Sequence, residues 1–367
     1  MRGKIFFFIG LLVFSFVQAQ DIKPEDYTID ASYFYGSILR HNKDISHLIT
    51  EHPKGLIISY NRKTFGDKRW QREYNYPDWG VSFINHNSAN ETLGDNYGLY
   101  AHLNFYFLKR NLLFRVSEGV VYNTNPFDIE TNYKNNAYGS HFLLGTALLL
   151  NYSKENIFKN IGLQAGITLL HYSNANLKAP NTSTNTLAFN VGLNYKFQNE
   201  AVPNEYITDS TRTKYTEPIK YNIVLRGGVN ESDYLNLGQH PFFIVSAFAD
   251  KRVSYKSSLQ LGTDIFFSKF LEKEIEYLSA AFPNYNIKGD EDYKRVGIFV
   301  GHDLHFGKFA INTQIGYYVY YPYEFEGRIY QRLGFKYKVY KNIFSEVSLK
   351  SHGAKAEAVE FGLGIRL

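Results

Sequence analysis

The sequence predicts an all-β fold: a transmembrane, antiparallel, up-and-down β-barrel of about 14–16 strands in the outer membrane of a Gram-negative-type cell. Three observations predict it. Strand-length segments alternate between apolar and small or polar residues along the whole chain. The N-terminus has the form of an export signal. The composition is crowded with Tyr and Phe.

The export signal comes first in the chain. Arg2 and Lys4 precede an almost unbroken apolar run, Phe6 to Val17, and Val17-Gln18-Ala19 fits a signal-peptidase site. The run falls short of the roughly 20 apolar residues that a membrane helix needs. Residues 1–19 therefore read as a signal peptide, and residues 20–367 as one outer-membrane barrel domain.

Composition supports a barrel rather than a soluble fold. Tyr numbers 31 and Phe 30, against 2 Trp and 1 Met, so that aromatic residues make up 17% of the chain. Membrane barrels place such rings at both lipid–water interfaces. Mean hydropathy is slightly negative, as expected when each strand is apolar on one face only. The absence of Cys excludes disulfides. Removing residues 1–19 leaves 38 basic against 35 acidic side chains, a net charge of +3. That mild excess argues against nucleic acid as a partner and suits a surface facing anionic lipid.

Period-two alternation then marks strands beginning near Ala31, Leu56, Gly80, Tyr97, Leu112, Tyr138, Ile161, Thr186, Ile219, Pro241, Tyr255, Val296, Ala310, Tyr330, Ile343 and Ala356. Ile161, Leu163, Ala165, Ile167 and Leu169 alternate with Gly162, Gln164, Gly166 and Thr168. Leu187, Phe189, Val191 and Leu193 alternate with Ala188, Asn190, Gly192 and Asn194, and the C-terminal Val359 to Leu367 repeats the pattern. A second face rich in Gly, Asn and charge favours apolar-out, polar-in. The connections alternate too. Lys109-Arg110, Ser153 to Asn160, Asp250 to Arg252, Gly307-Lys308 and Lys341-Asn342 are short, whereas Asn123 to Asn136, Asn174 to Asn185 and Lys269 to Asp292 are long. Short connections belong to the periplasmic side and long ones to the cell surface. Arg62 to Asp78 and Asn199 to Pro218 break this rule, being long but periplasmic by count.

One segment concentrates chemistry. His171 and Ser173 are two residues apart on a strand, so they share a face, and parity makes it the lipid-facing one. Polar groups facing hydrocarbon are costly because they find no partners there. They mark either a strand end level with the headgroups or a base beside a nucleophile. With a hairpin centred near residue 178, Asn185 lies directly across from His171 and can fix its tautomer. Asn174 and Asn181 are amide donors for an oxyanion, and Lys178 is a cation suited to phosphate.

HYSN (His171 to Asn174), LKAPN (Leu177 to Asn181) and the alternating strand ending in Asn194-Tyr195 resemble the signature of the outer-membrane lipid A deacylases, the acyloxyacyl-hydrolase-like family. The strong likeness covers about thirty residues, here of a longer-barrel kind. Weaker likeness includes Asn75 to Phe83 and the C-terminal twenty residues. The resemblance implies hydrolysis of an ester-linked acyl chain on lipid A, with His171 and Ser173 as the catalytic pair and Asn181 as the loop amide. No cofactor and no metal-ligand set is read from the sequence, which leaves the acyl position and metal dependence open. The chain departs from the short enzymes at Asn185, where they carry Glu. In a serine protease the analogous Asp-to-Asn change lowers turnover about 10⁴-fold. Asp128 or Glu130, on the preceding outer loop, is the alternative acid.

Other candidates read as ordinary strand chemistry. His302 and His305 alternate to opposite faces around Asp303. Glu357 and Glu360 fall on opposite faces by parity, with Glu360 sharing the inward face with Arg366. The sequons at Asn90, Asn151, Asn181 and Asn230 are chance occurrences. Three functions stay open: a lipid A ester hydrolase, a non-catalytic pore or lipopolysaccharide-binding barrel, and an outer-membrane phospholipase. Oligomeric state is not legible.

Overall fold

The computed structural model describes residues 27–197, 206–208, 215–353 and 355–367. The signal-peptide segment, residues 1–19, lies outside them. The first eight strands are β1 (Tyr27–Ile38), β2 (Lys54–Arg62), β3 (Asp78–Asn87), β4 (Asp95–Phe107), β5 (Leu112–Asn123), β6 (Phe142–Phe158), β7 (Ile161–Ser173) and β8 (Thr184–Lys196). The next eight are β9 (Ile219–Glu231), β10 (Gln239–Arg252), β11 (Ser257–Ser268), β12 (Arg295–Phe306), β13 (Phe309–Tyr320), β14 (Ile329–Tyr340), β15 (Ile343–His352) and β16 (Lys355–Arg366). Each of the sixteen begins within four residues of where alternation starts it.

Closure differs from the single wide barrel expected. β8 pairs back onto β1, with Leu193 opposite Ala31, and β16 pairs back onto β9, with Leu363 opposite Leu225. The chain is therefore two closed eight-stranded barrels in series. The long connection Asn199 to Pro218, anomalous as a periplasmic turn, is the passage from one barrel to the other. An eight-stranded barrel is just narrow enough for side chains to fill. The first interior holds an apolar group, with Phe34, Ile57, Tyr100, Val121, Leu170 and Tyr172 fully buried. It also holds a polar network in which Arg115 meets Asp30 at 2.7 Å, Asn104 at 2.7 Å and Asn61 at 2.9 Å. The second interior is ionic, with Arg332 bonded to Glu360 at 2.6 Å and to Asp264 at 3.0 Å.

The apolar face is outermost, as alternation requires. Leu163, Ile167, Leu187, Phe189 and Val191 are exposed while Gln164, Thr168, Ala188 and Asn190 are buried. Exposed rings gather near both rims. Tyr97, Tyr122 and Phe142 lie toward the long loops, and Phe107, Tyr152 and Tyr195 lie toward the short turns.

One expectation about charges changes, that for Glu357, while Glu360 is an inward charge partner of Arg332. Lys350 pairs with Ala358 but Ser351 with Ala356, so Glu357 is the extra residue of a β-bulge. The bulge shifts parity and turns Glu357 inward beside Glu360, where it meets Arg295 and Lys350 at 2.6 Å each. Arg366 pairs with Asp250 and Glu217. His302 and His305 do face opposite ways, His305 inward against Ser258.

The barrels touch at both rims. At the short-turn rim, Tyr74, just past the helix α1 (Arg69–Glu73), stacks on Phe306 at 4.3 Å and donates its hydroxyl to the His305 carbonyl at 3.0 Å. The long-loop rim of the second barrel carries the helix α2 (Lys269–Ala281), and its β9–β10 end reaches the β7–β8 loop of the first.

Candidate active site

β7 and β8 form a hairpin in which His171 lies directly opposite Asn185. His171 Nδ1 donates to Asn185 Oδ1 at 2.7 Å. Because a carboxamide oxygen only accepts, the ring proton lies on Nδ1 and the lone pair on Nε2. Leu169 precedes and Ser173 follows His171 on the same outward face. Ser173 is only 6% exposed, because the loop beyond it folds over it.

The loop has its own internal logic. Ala175 and Asn176 both adopt left-handed backbone, at φ 52° and 61°, and the Leu177 N–H closes on the Asn174 carbonyl at 3.1 Å. That turn returns the Ala175 N–H to Ser173 Oγ at 2.9 Å. Ser173 Oγ donates to Asn181 Oδ1 at 3.1 Å, and the same oxygen receives the Asn174 N–H at 2.9 Å. Asn181 thus stands beside the hydroxyl, and its Nδ2 makes no hydrogen bond among the described residues. The Asn174 carboxamide does not face Ser173. It spends its N–H on the Lys178 carbonyl at 2.5 Å, because a tight loop must satisfy its own backbone. The Lys178 side chain is exposed at the loop tip.

The alternative acids are not brought to the imidazole. Asp128 and Glu130 are exposed. Asp128 Oδ1 takes the Thr131 N–H and hydroxyl at 2.9 Å each and the Glu130 N–H at 3.0 Å. These bonds, the Thr131 N–H first, hold its carboxyl below the usual carboxylate range.

Sequence reading missed two features. The outward row does not stop at His171: Thr146 on β6 lies opposite it, and Glu118 on β5 lies opposite Thr146. A lone acid on an apolar face was the available signal. The second feature is Glu231, at the end of β9. Its carboxylate takes the Ala179 N–H at 3.0 Å, its carbonyl takes Asn176 Nδ2 at 2.9 Å, and its N–H reaches the Asn176 carbonyl at 3.1 Å. Gln239 adds a bond to the Leu177 carbonyl at 2.7 Å. No local pattern could announce these contacts between barrels.

A closed barrel with a histidine, a serine and two carboxamides gathered at one edge of its apolar outer wall carries the residue types from which an ester hydrolase is built. The chain belongs to the lipid A 3-O-deacylase and acyloxyacyl hydrolase family. The family model described as lipid A 3-O-deacylase (PagL) matches residues 54–194, and the one described as acyloxyacyl hydrolase, C-terminal domain, matches residues 219–367. The first match runs from β2 into β8 and contains the whole hairpin site, and the second covers β9 to β16. Members of this family are ester hydrolases. No curated protein sequence matches the chain. Among solved structures, a mutant of Rhodopseudomonas blastica porin aligns at 11% identity over 93% of this chain and 99% of its own, with a TM-score of 0.19. A triple mutant of the same porin aligns at 10% identity over the same shares, with a TM-score of 0.20.

Proposed function

We propose that this protein is exported to the outer membrane and there removes an ester-linked acyl chain from lipid A at the outer wall of its first barrel. The observation that carries the reading is the 2.7 Å bond from His171 to Asn185, which leaves Nε2 as the free base two residues from Ser173. In the resting state the Ser173 hydroxyl is turned to Asn181. For attack it rotates toward His171 Nε2, a tightening common when substrate arrives.

Ser173 Oγ passes its proton to His171 Nε2 and bonds to the acyl carbonyl carbon. The carbonyl oxygen becomes an oxyanion, met by the Asn181 Nδ2 donor. Collapse breaks the ester bond, and the sugar oxygen leaves with the proton from Nε2. Water, giving one proton to His171 Nε2, attacks the acyl carbonyl and releases the fatty acid, and that proton returns from Nε2 to Ser173 Oγ. Asn185 holds the ring throughout. Lys178, exposed at the loop tip, suits a lipid A phosphate. Substrate arrives laterally from the lipid, because the site opens on the outer wall. The pore reading loses its basis, since each barrel is narrow and filled by side chains.

Mass spectrometry of lipid A from cells making the wild-type or the Ser173→Ala protein tests this. The wild type should remove one acyl chain and Ser173→Ala none. Full deacylation by a folded Ser173→Ala barrel would exclude Ser173 as the nucleophile. Intact lipid A alongside cleaved glycerophospholipid would assign a phospholipase instead.

A further inference from the structure

The outward faces of β5, and of β6 from Phe142 to Leu150, are almost wholly apolar. On β5 they present Leu112, Phe114, Val116, Val120 and Tyr122, and the single acid among them is Glu118. On β6, Phe142, Leu144, Leu148 and Leu150 surround the hydroxyl of Thr146, while Tyr152 and Lys154 lie farther along the strand toward the short turns. These two exceptions are not scattered. Glu118 pairs with Thr146, Thr146 with His171 and His171 with Asn185, so one polar row crosses four strands at the level of the base. A carboxylate on a lipid-facing wall lacks partners and is retained there at a cost.

The row is also connected. Thr146 Oγ1 donates to Glu118 Oε1 at 2.8 Å, which draws the carboxylate toward β6 and so toward His171. With its proton committed to Glu118, the threonine oxygen presents lone pairs elsewhere. Adjacent strands lie about 4.8 Å apart, which places the Glu118 backbone roughly 10 Å from that of His171, with the longer side chain on the acid closing part of the gap. Little water or counter-ion stands between charges at such a wall, so a unit charge acts over this range with less screening than in bulk.

We propose that Glu118, acting across Thr146, is the carboxylate that offsets the positive charge on His171 during ester cleavage, the role that Asn185 cannot perform. Glu118 is a positioning and electrostatic residue; it touches neither the ester nor Ser173. The inference rests on His171 being the base. Its surroundings contain few competing charges. Ala101 on β4 and Thr146 on β6 flank Glu118, with Val116 and Val120 along its own strand. Around His171 stand Thr146, Leu169, Ser173 and Asn185, with Lys178 on the loop and His41, whose Nε2 meets the Thr182 carbonyl at 3.0 Å, on the neighbouring one.

The test is the pH dependence of lipid A deacylation by purified Glu118→Gln protein in detergent–lipid micelles, with folding checked by heat-modifiable gel mobility. The expected result is a fall in kcat of roughly ten- to a hundred-fold with little change in KM, and an acidic limb of the rate profile displaced to lower pH. The displacement follows because removing a nearby negative charge makes the imidazolium easier to deprotonate. A merely structural role would reduce the amount of active protein without moving the limb. A second variant adds rescue: in an Asn185→Glu background, Glu118→Gln should cost less than about threefold, because a carboxylate again faces the ring. Wild-type kcat and an unmoved limb in folded Glu118→Gln would overturn the proposal. If Ser173→Ala is dead while Glu118→Gln is silent, only the Glu118 role fails. If Ser173→Ala stays active, the hydrolase site itself fails.

Discussion

At the scale of single residues, the site depends on which atoms are already engaged. Asn185 holds the His171 tautomer through a 2.7 Å bond but carries no charge. Replacing it with Asp keeps the acceptor and adds a counter-charge beside the ring. Asn185→Asp should therefore deacylate lipid A at the wild-type rate or faster, measured as initial velocity on micellar substrate. The paired change Asp128→Asn with Glu130→Gln is the control. Asp128 is exposed, its carboxyl is held below the usual carboxylate range by the Thr131 N–H first, and it is occupied by its own turn. The double variant should lie within about threefold of wild type, whereas loss of an orienting acid costs roughly two to four powers of ten. A loss on that scale would restore the loop acids to the mechanism and remove the need for Glu118.

At the scale of elements, the β7–β8 loop is built to cover Ser173, and its neighbour is built to admit it. Gly139, in the β5–β6 loop, lies so close that a Cβ there would run into the carbonyl oxygens of Lys178 and Ala179. Both obstacles are backbone, so the loop would have to move. The Thr182 and Ser183 N–H groups bond to the Asn136 and Ala137 carbonyls at 3.1 and 3.2 Å, which makes the same neighbour a support as well as a wall. Gly139→Ala should leave the barrel folded and lower kcat roughly ten- to a hundred-fold, because a shift of about 1 Å at a site costs on that order. Unchanged kcat would show that the loop tolerates displacement and that Asn181 need not be held where it stands.

At the scale of the whole molecule, two barrels share one site. Among the described residues the second barrel contributes no hydrogen bond to Ser173, yet Glu231 and Gln239 brace the loop that carries Asn181. Glu231→Ala removes the acceptor for the Ala179 N–H, while Glu231→Gln keeps one. Deacylation should fall roughly tenfold or more in the first and remain near wild type in the second, compared at equal amounts of folded protein. Equal activity in both would make the second barrel a neighbour rather than a support.

Much of this architecture was legible because period-two alternation is a local property. Sixteen strand starts, the outward face of His171 and Ser173, and the pairing of His171 with Asn185 all follow from spacing along a few residues and one hairpin. The Glu357 bulge was not legible, since one inserted residue reverses parity without any mark in composition. Closure was not legible either. An outward apolar face looks the same whether β8 pairs with β1 or continues to β9, and only the long passage from Asn199 to Pro218 hinted at the break. The row from Glu118 to Asn185 and the grip of Glu231 on the loop join residues far apart in the chain. Faces, strands and the pairing across the hairpin could be read along the chain, because each is set by near neighbours in it. Which strand closes on which, and which distant carboxylates approach the hairpin, emerge only once the strands pair, because hydrogen-bond register between strands fixes those distances.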